Sequence, residues 1–379
     1  MQKFDLVVVT YEPFPYGQAA TNRLLSYLVG LAESKRILYL CLAGVQKNNL
    51  NTKQDGIYKN INFKYLTDPT INNLNKIQRF AYVIYRYILL FFILTFKIKT
   101  KSILLYSCKK VLSIEILELC RLKKIKVFRD ITEVVGFNYS KEKQSVLKLK
   151  RLTRKFNGII VISKGIFSFY DNIPKSQKYL LPVLVDISRF NITSKREKYF
   201  FCCSGANLER DGLLDSLNGF LIFSKNHPEY VFEIASAVNP TDEYHKKCKA
   251  IIDKHSDVIH YLGALPSNII PEKMCKASAL LLTPHNEYQT KGFPTKLGEY
   301  LASATPTICS TITDLTEVLG KNDVLWVKPN SPNEIAEQLN YIICNRELSE
   351  TIGKNGQNLM INKFTINYYK DSLIKFLDI

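Results

Sequence analysis

Residues 289–310 read QTKGFPTKLGEYLASATPTICS, and the order of signals in them sets the fold class. Gly292 and Pro294 are poor in helix interiors and mark a loop. From Thr295 the pattern turns helical, with Leu297, Tyr300, Leu301 and Ala304 at i, i+3, i+4 and i+7 on one apolar stripe. Glu299 points away from that stripe. Pro306 stops the helix, and TPTIC reads as a short buried strand starting at Thr307. A Gly/Pro loop thus enters a short helix whose first amides face outward, with Lys296 in the first turn. That end suits an anion such as a nucleotide diphosphate, and a carboxylate one turn further in, Glu299, can hold a ribose hydroxyl pair. An ordinary loop–helix–strand unit of an α/β domain would show the same pattern with no ligand at all.

Outward from this stretch the same unit recurs. Tyr199–Gly205, Tyr230–Ser236, Asp257–Gly263, Ala279–His285 and Val324–Lys328 read as apolar strands, and the end of the chain, from Ser331, is helical. Residues 192–199 are polar and read as a linker. Before them, Phe4–Thr10, Ile37–Leu42, Ile61–Leu66, Ser102–Ser107, Ile125–Thr132, Gly158–Ser163 and Leu181–Asp186 read as strands, with a helix from about residue 19 to 34 and others near 111–122 and 141–156. Strands alternating with helices give an open parallel sheet with helices on both faces, and the pattern restarts at the linker. The chain therefore predicts two doubly wound α/β domains. The first strand leads into a loop with Pro13, Pro15 and Gly17 that is not GxGxxG, so nothing indicates NAD.

The 379 residues carry a net charge of +18, and the excess is unevenly placed. Residues 1–190 hold 32 Lys and Arg against 12 Asp and Glu, and residues 191–379 hold 20 against 22. No zinc-finger, homeodomain, RRM or basic-zipper pattern accompanies the basicity, so nucleic acid is not expected. An anionic membrane surface is. The most apolar stretch, FAYVIYRYILLFFILTF (Phe80–Phe96), lies in the same half. Its 17 residues and Arg86 argue against a span. It predicts a helix in the membrane interface or partly buried in the domain. Nine cysteines with no C-x-x-C pair and no zinc spacing, and no signal peptide at the start, predict reduced thiols in a cytoplasmic protein with no structural metal.

The string FPTKLGEYLASATP (residues 293–306) resembles the C-terminal signature of the retaining glycosyltransferases of family 4. The resemblance implies the GT-B architecture, two Rossmann-like parallel-sheet domains facing a cleft. It assigns residues 1–190 to an acceptor-side, membrane-facing domain, 191–363 to a nucleotide-sugar-binding domain, and 364–379 to a helix crossing back. In that family two glutamates eight positions apart bracket the loop. The second, which binds the ribose, matches Glu299. The first, which contacts the donor sugar, falls on Lys291, a departure that leaves the sugar contact unassigned. Phe293 and Pro294, in one loop with Gly292, are implied to shape the sugar pocket.

Gly17 matches a loop glycine that approaches the donor diphosphate. Arg210 matches the second of two basic residues that grip it, while Ala206 or Asn207 fills the place of the first, with Lys296 as the compensating cation. At the end of the strand Ile125–Thr132, Asp130 and Glu133 are read as exposed carboxylates for an acceptor hydroxyl, Asp130 being the first choice of base. The implied activity is retaining hexosyl transfer from a nucleotide-sugar to a glycan or polyprenyl-linked acceptor, in cell-surface polysaccharide synthesis. It occurs at the inner face of the cytoplasmic membrane and without metal, since no Asp-x-Asp occurs. A sugar-nucleotide epimerase on the same architecture, or a scaffold that keeps only the fold, is the alternative.

Overall fold

Leu6–Thr10, apolar throughout, becomes the middle of a sheet. The computed structural model describes residues 1–379 other than 18, 45–50, 68–74, 107–109, 133–142, 193–194, 205–207, 237–241, 267, 285–293 and 317. They divide into two units, Met1–Leu184 with Ile366–Ile379, and Val185–Thr365. In the first the strands are β1 (Gln2–Lys3), β2 (Leu6–Thr10), β3 (Ile37–Gly44), β4 (Asp55–Tyr58), β5 (Ile61–Thr67), β6 (Ile98–Lys99), β7 (Ser102–Tyr106), β8 (Lys126–Ile131), β9 (Gly158–Val161) and β10 (Lys178–Leu180). Eight of them form one sheet in the order β10-β9-β8-β7-β2-β3-β5-β4, and β1 pairs with β6.

All five residues of β2 are buried, as a strand covered on both faces requires. Side chains alternate between the faces. Leu6 and Val8 pack with Leu24, Leu28, Leu373 and Leu377 of the helices Ala19–Leu31 and Ile366–Leu377. Val7 and Val9 pack on the other side with Leu90, Leu94, Ile116 and Leu152. The unit is doubly wound, with its switch point at β2, between β3 and β7. The C-terminal helix is tied into the same core, Ser102 Oγ donating to the Leu377 carbonyl at 2.7 Å.

Two features differ from the sequence reading, and a third, the apolar helix, is as expected but apolar on both sides. Asp55–Tyr58, in a polar tract with no alternation, adds an antiparallel edge to β5. The run Leu181–Asp186 is not a strand, and the ladder with β9 is made by Lys178–Leu180 just before it; Pro182 has no N–H to donate to a ladder. Most of Phe80–Phe96 is the helix Lys76–Phe92, continued by a π-helical turn Ile93–Lys97. This segment has two apolar faces. Leu90, Ile93 and Leu94 enter the core. Ile84, Tyr85, Ile88, Phe91, Phe92 and Phe96 are 42–62% exposed. Arg86 is on the inner side, where it donates to the Leu42 carbonyl at 2.6 Å and lies over the rings of Tyr11 and Tyr82.

The second unit holds β11 (Tyr199–Ser204), β12 (Val231–Ser236), β13 (Ile259–Gly263), β14 (Ala279–Leu282), β15 (Thr307–Ser310) and β16 (Leu325–Val327). They form a six-stranded parallel sheet in the order β13-β12-β11-β14-β15-β16. The chain runs outward from β11 to β13, then returns to β14 on the other side, so the switch point is at β11. The expected helix after the Gly/Pro loop spans Thr295–Ala302. Its stripe is buried at Leu297, Tyr300 and Leu301, whereas Ala304 lies past its end at φ 55°.

Candidate functional site

In the second unit the loop after β11, the end of β14 and the start of the Thr295–Ala302 helix meet at the carboxyl edge of the switch point, where doubly wound sheets bind ligands. The backbone there is closely seated. Gly212, at φ 71°, precedes the helix Leu213–Ser224, and a Cβ on it would lie 1.6 Å from the Thr283 carbonyl oxygen. Only glycine fits both the left-handed conformation and that approach. Thr283 returns the contact, its hydroxyl donating to the Gly212 carbonyl at 2.9 Å.

This seating carries Asp211 to Lys296. The two form an ion pair through Nζ and Oδ2, and Ser204 Oγ donates to the same oxygen at 2.6 Å. Lys296 is in the first turn of its helix, which has Pro294 at its N-cap position and no side-chain cap. An ammonium has three protons, so the Asp211 pair leaves it able to donate elsewhere. One turn on, Glu299 accepts from Arg189 Nη1 through Oε1. A carboxylate has further acceptor sites after one such bond. Tyr300, fully buried, fixes the helix to the sheet by accepting from the Cys203 amide at 2.7 Å. Burial pushes the Cys203 thiol up to about 11, although Lys296 acts against it, so this cysteine beside the site is not a thiolate at neutral pH.

The predicted residues therefore fall into groups. Lys296 and Glu299 stand one turn apart on one helix, Pro294 is at its entrance, and Arg210 is half-buried in the loop, next to Asp211. Gly292, Phe293 and Glu133, like Lys291, lie outside the described residues. Gly17, in the first unit, is hemmed in: a Cβ would be 2.0 Å from Thr21 Oγ1, which donates to the Pro13 carbonyl. That packing requires a glycine whether or not a ligand approaches.

Asp130 corrects the reading of an exposed carboxylate. It is 4% exposed at the carboxyl end of β8. Arg23 from the helix Ala19–Leu31 donates to both its oxygens, Nε to Oδ2 at 3.0 Å and Nη2 to Oδ1 at 3.0 Å. Tyr27 Oη donates to Oδ2 at 3.0 Å. The remaining guanidinium bonds reach the carbonyls of Leu181 and Pro182. Burial alone would lower the Arg23 pKa, but the charge and hydrogen bonds of Asp130 outweigh it and hold the guanidinium above its ordinary value. Asp130 is thus the counter-charge of a buried arginine. Arg23, Tyr27, Arg189 and Asp211 were missed from the sequence. Arg23 alone left a signal, standing on the buried side of an apolar helix pattern (TNRLLSYL) where an arginine needs a carboxylate.

Residues 185–359 match the family glycosyl transferases group 1. No curated protein matches the chain. Among solved structures, sucrose-phosphate synthase from Thermosynechococcus elongatus is similar with a TM-score of 0.74 at 13% identity, over 99% of both chains. HepE from Anabaena, solved in complex with UDP and glucose, gives 0.74 at 12% identity over 99% of both. A glycosyltransferase from Rickettsia africae gives 0.69 at 14% identity, over 99% of this chain and 98% of that one. At these identities the structures bear on the fold, and the family match on the second unit. The chain thus has two Rossmann-like units on the GT-B fold, and the segment that contains Arg210, Lys296 and Glu299 matches glycosyl transferases group 1.

Proposed function

We propose that the protein is a retaining glycosyltransferase that moves a hexosyl group from a nucleotide-sugar to a glycan or lipid-linked glycan at a membrane surface. The observation that carries this reading is the single turn between Lys296 and Glu299 at the start of the Thr295–Ala302 helix. A diphosphate at that end would meet the helix amides and the Lys296 ammonium, with Arg210 in the neighbouring loop, and Glu299 would take the ribose hydroxyls. Leaving-group charge is then met by fixed cations and a helix dipole. The absence of an Asp-x-Asp pair from the sequence supports a reaction without metal. The HepE complex with UDP and glucose makes a uridine donor the first to test.

The test is release of nucleoside diphosphate from UDP-glucose and from other nucleotide-sugars, with a membrane glycolipid extract as acceptor. Acceptor-dependent release, undiminished by EDTA, is expected. Restoration by magnesium or manganese of activity lost in EDTA would contradict the metal-free mechanism. Binding without release would favour the scaffold, the reading that Lys291 in place of a glutamate supports.

The membrane part rests on the outer face of the Lys76–Lys97 segment. Ile84, Ile88, Phe91 and Phe96 form an exposed apolar row, followed by exposed Lys97, Lys99 and Lys101. Aromatic and aliphatic side chains beside lysines suit the boundary of an anionic bilayer. Among the described residues no helix is long and apolar enough to cross a membrane. Co-sedimentation with anionic vesicles is expected, with far less on neutral ones and partial release by salt. Replacing Ile88, Phe91 and Phe96 by serine should abolish binding without loss of stability, because these side chains already face outward. Equal binding to neutral and anionic vesicles would remove the electrostatic half of the proposal.

A further inference from the structure

The second unit holds a cavity of about 740 Å³ at the other edge of its sheet. Tyr230, Ser278 and Pro306, which line it, are the residues just before β12, β14 and β15. Because these strands are parallel, the cavity is under their amino ends, away from Asp211, Lys296 and Glu299. The helices Pro332–Cys344 and Arg346–Lys363 supply further wall.

Its lining is cationic. Lys195, Arg196, Arg346 and Lys354 face one carboxylate, Glu350, and none of the four is ion-paired among the described residues. Lys195, Arg346 and Lys354 are exposed at the rim, and Arg196 is half-buried. The Arg196 hydrogen bonds all go to neutral acceptors: the Cys275 carbonyl, Thr305 Oγ1 at 2.5 Å and the Ala304 carbonyl at 2.7 Å. A guanidinium placed away from water without a bonded carboxylate attracts an anion. Ser349 provides a second, independent sign. It lines the cavity, is 1% exposed, and its hydroxyl has no hydrogen-bond partner among the described residues. Buried hydroxyls are ordinarily paired, and an orphan asks for an explanation. Phe190, Tyr230 and Ile342 give the cavity an apolar wall beside these charges.

We propose that this cavity binds a small phosphorylated metabolite, its phosphate held by Arg196 with Lys195, Arg346 and Lys354, and its organic body against the apolar wall. Four cations against one carboxylate suit a dianion, and arginine suits phosphate oxygens in particular. A neutral ligand would leave the charge unmet.

Calorimetric titration of the full chain with phenyl phosphate, and with phenol as the uncharged control, tests the proposal. Saturable binding of phenyl phosphate and none of phenol is expected. The double variant Arg346→Glu, Lys354→Glu should weaken it by about tenfold or more, as two charge-assisted contacts become repulsive. Lys195→Glu, on an exposed residue outside any helix, gives the same comparison should the double variant not fold. Lys296→Ala should leave phenyl phosphate binding unchanged. No saturable binding, binding that survives the charge reversals, or binding lost in Lys296→Ala would each overturn it. The last would place the phosphate at the opposite edge of the sheet, on the proposed nucleotide site.

Discussion

Asp130→Ala should destabilise the first unit by about 3–5 kcal/mol, the usual loss when one partner of a buried ion pair is removed. Arg23 would then remain at 5% exposure with only the carbonyls of Leu181 and Pro182 to bond. Tyr27 would lose its acceptor as well. Chemical denaturation followed by hydrogen exchange over residues 19–31 and 126–131 measures the loss and locates it. The paired change Arg23→Met, Asp130→Leu should recover much of it, because it leaves no charge behind. If Asp130→Ala instead kept its stability and lost only turnover, the carboxylate would be acting in the reaction, as the sequence first implied.

The second large effect is expected at Lys296. On the proposed mechanism, Lys296→Ala should reduce turnover by about 10²–10³, the range for removing one preorganised group that meets developing charge. Arg210→Ala should act in the same direction. Glu299→Gln should behave differently and weaken nucleoside diphosphate binding by about 1.5–3 kcal/mol for each charge-assisted bond lost. Steady-state kinetics beside calorimetry separates the two roles. An unchanged affinity in Glu299→Gln would sink the ribose assignment, and unchanged turnover in Lys296→Ala would sink the leaving-group assignment.

The helix that opens the candidate site was legible because its signals are local. Pro294, the Leu297–Tyr300–Leu301 stripe and Pro306 need nothing beyond one another to mark a start, a face and a stop. The same is true of β2 and β11, whose short unbroken apolar runs, bounded by loop residues, suit strands buried on both sides. Long-range pairing was not legible. Arg23 and Asp130 are 107 positions apart, and a strand-end aspartate looks the same in sequence whether it faces water or an arginine. The carboxylate of Glu299 and its partner Arg189 are separated by 110 positions. Lys76–Phe92 was ambiguous for another reason: a helix apolar on two sides has no single stripe, and only packing shows which side enters the core.

The Thr295–Ala302 helix has eight residues, about 12 Å at the usual rise. Its first turn is held by Asp211 through Lys296, and the turn that ends it is held by Arg196 through the Ala304 carbonyl. One short rigid rod is therefore tethered at each end to a different charged group. A solute at Arg196 that shifted this rod would alter the free energy of Lys296 and Glu299 at its other end. Thermodynamic reciprocity would then require that nucleotide shift the affinity for that solute by the same factor.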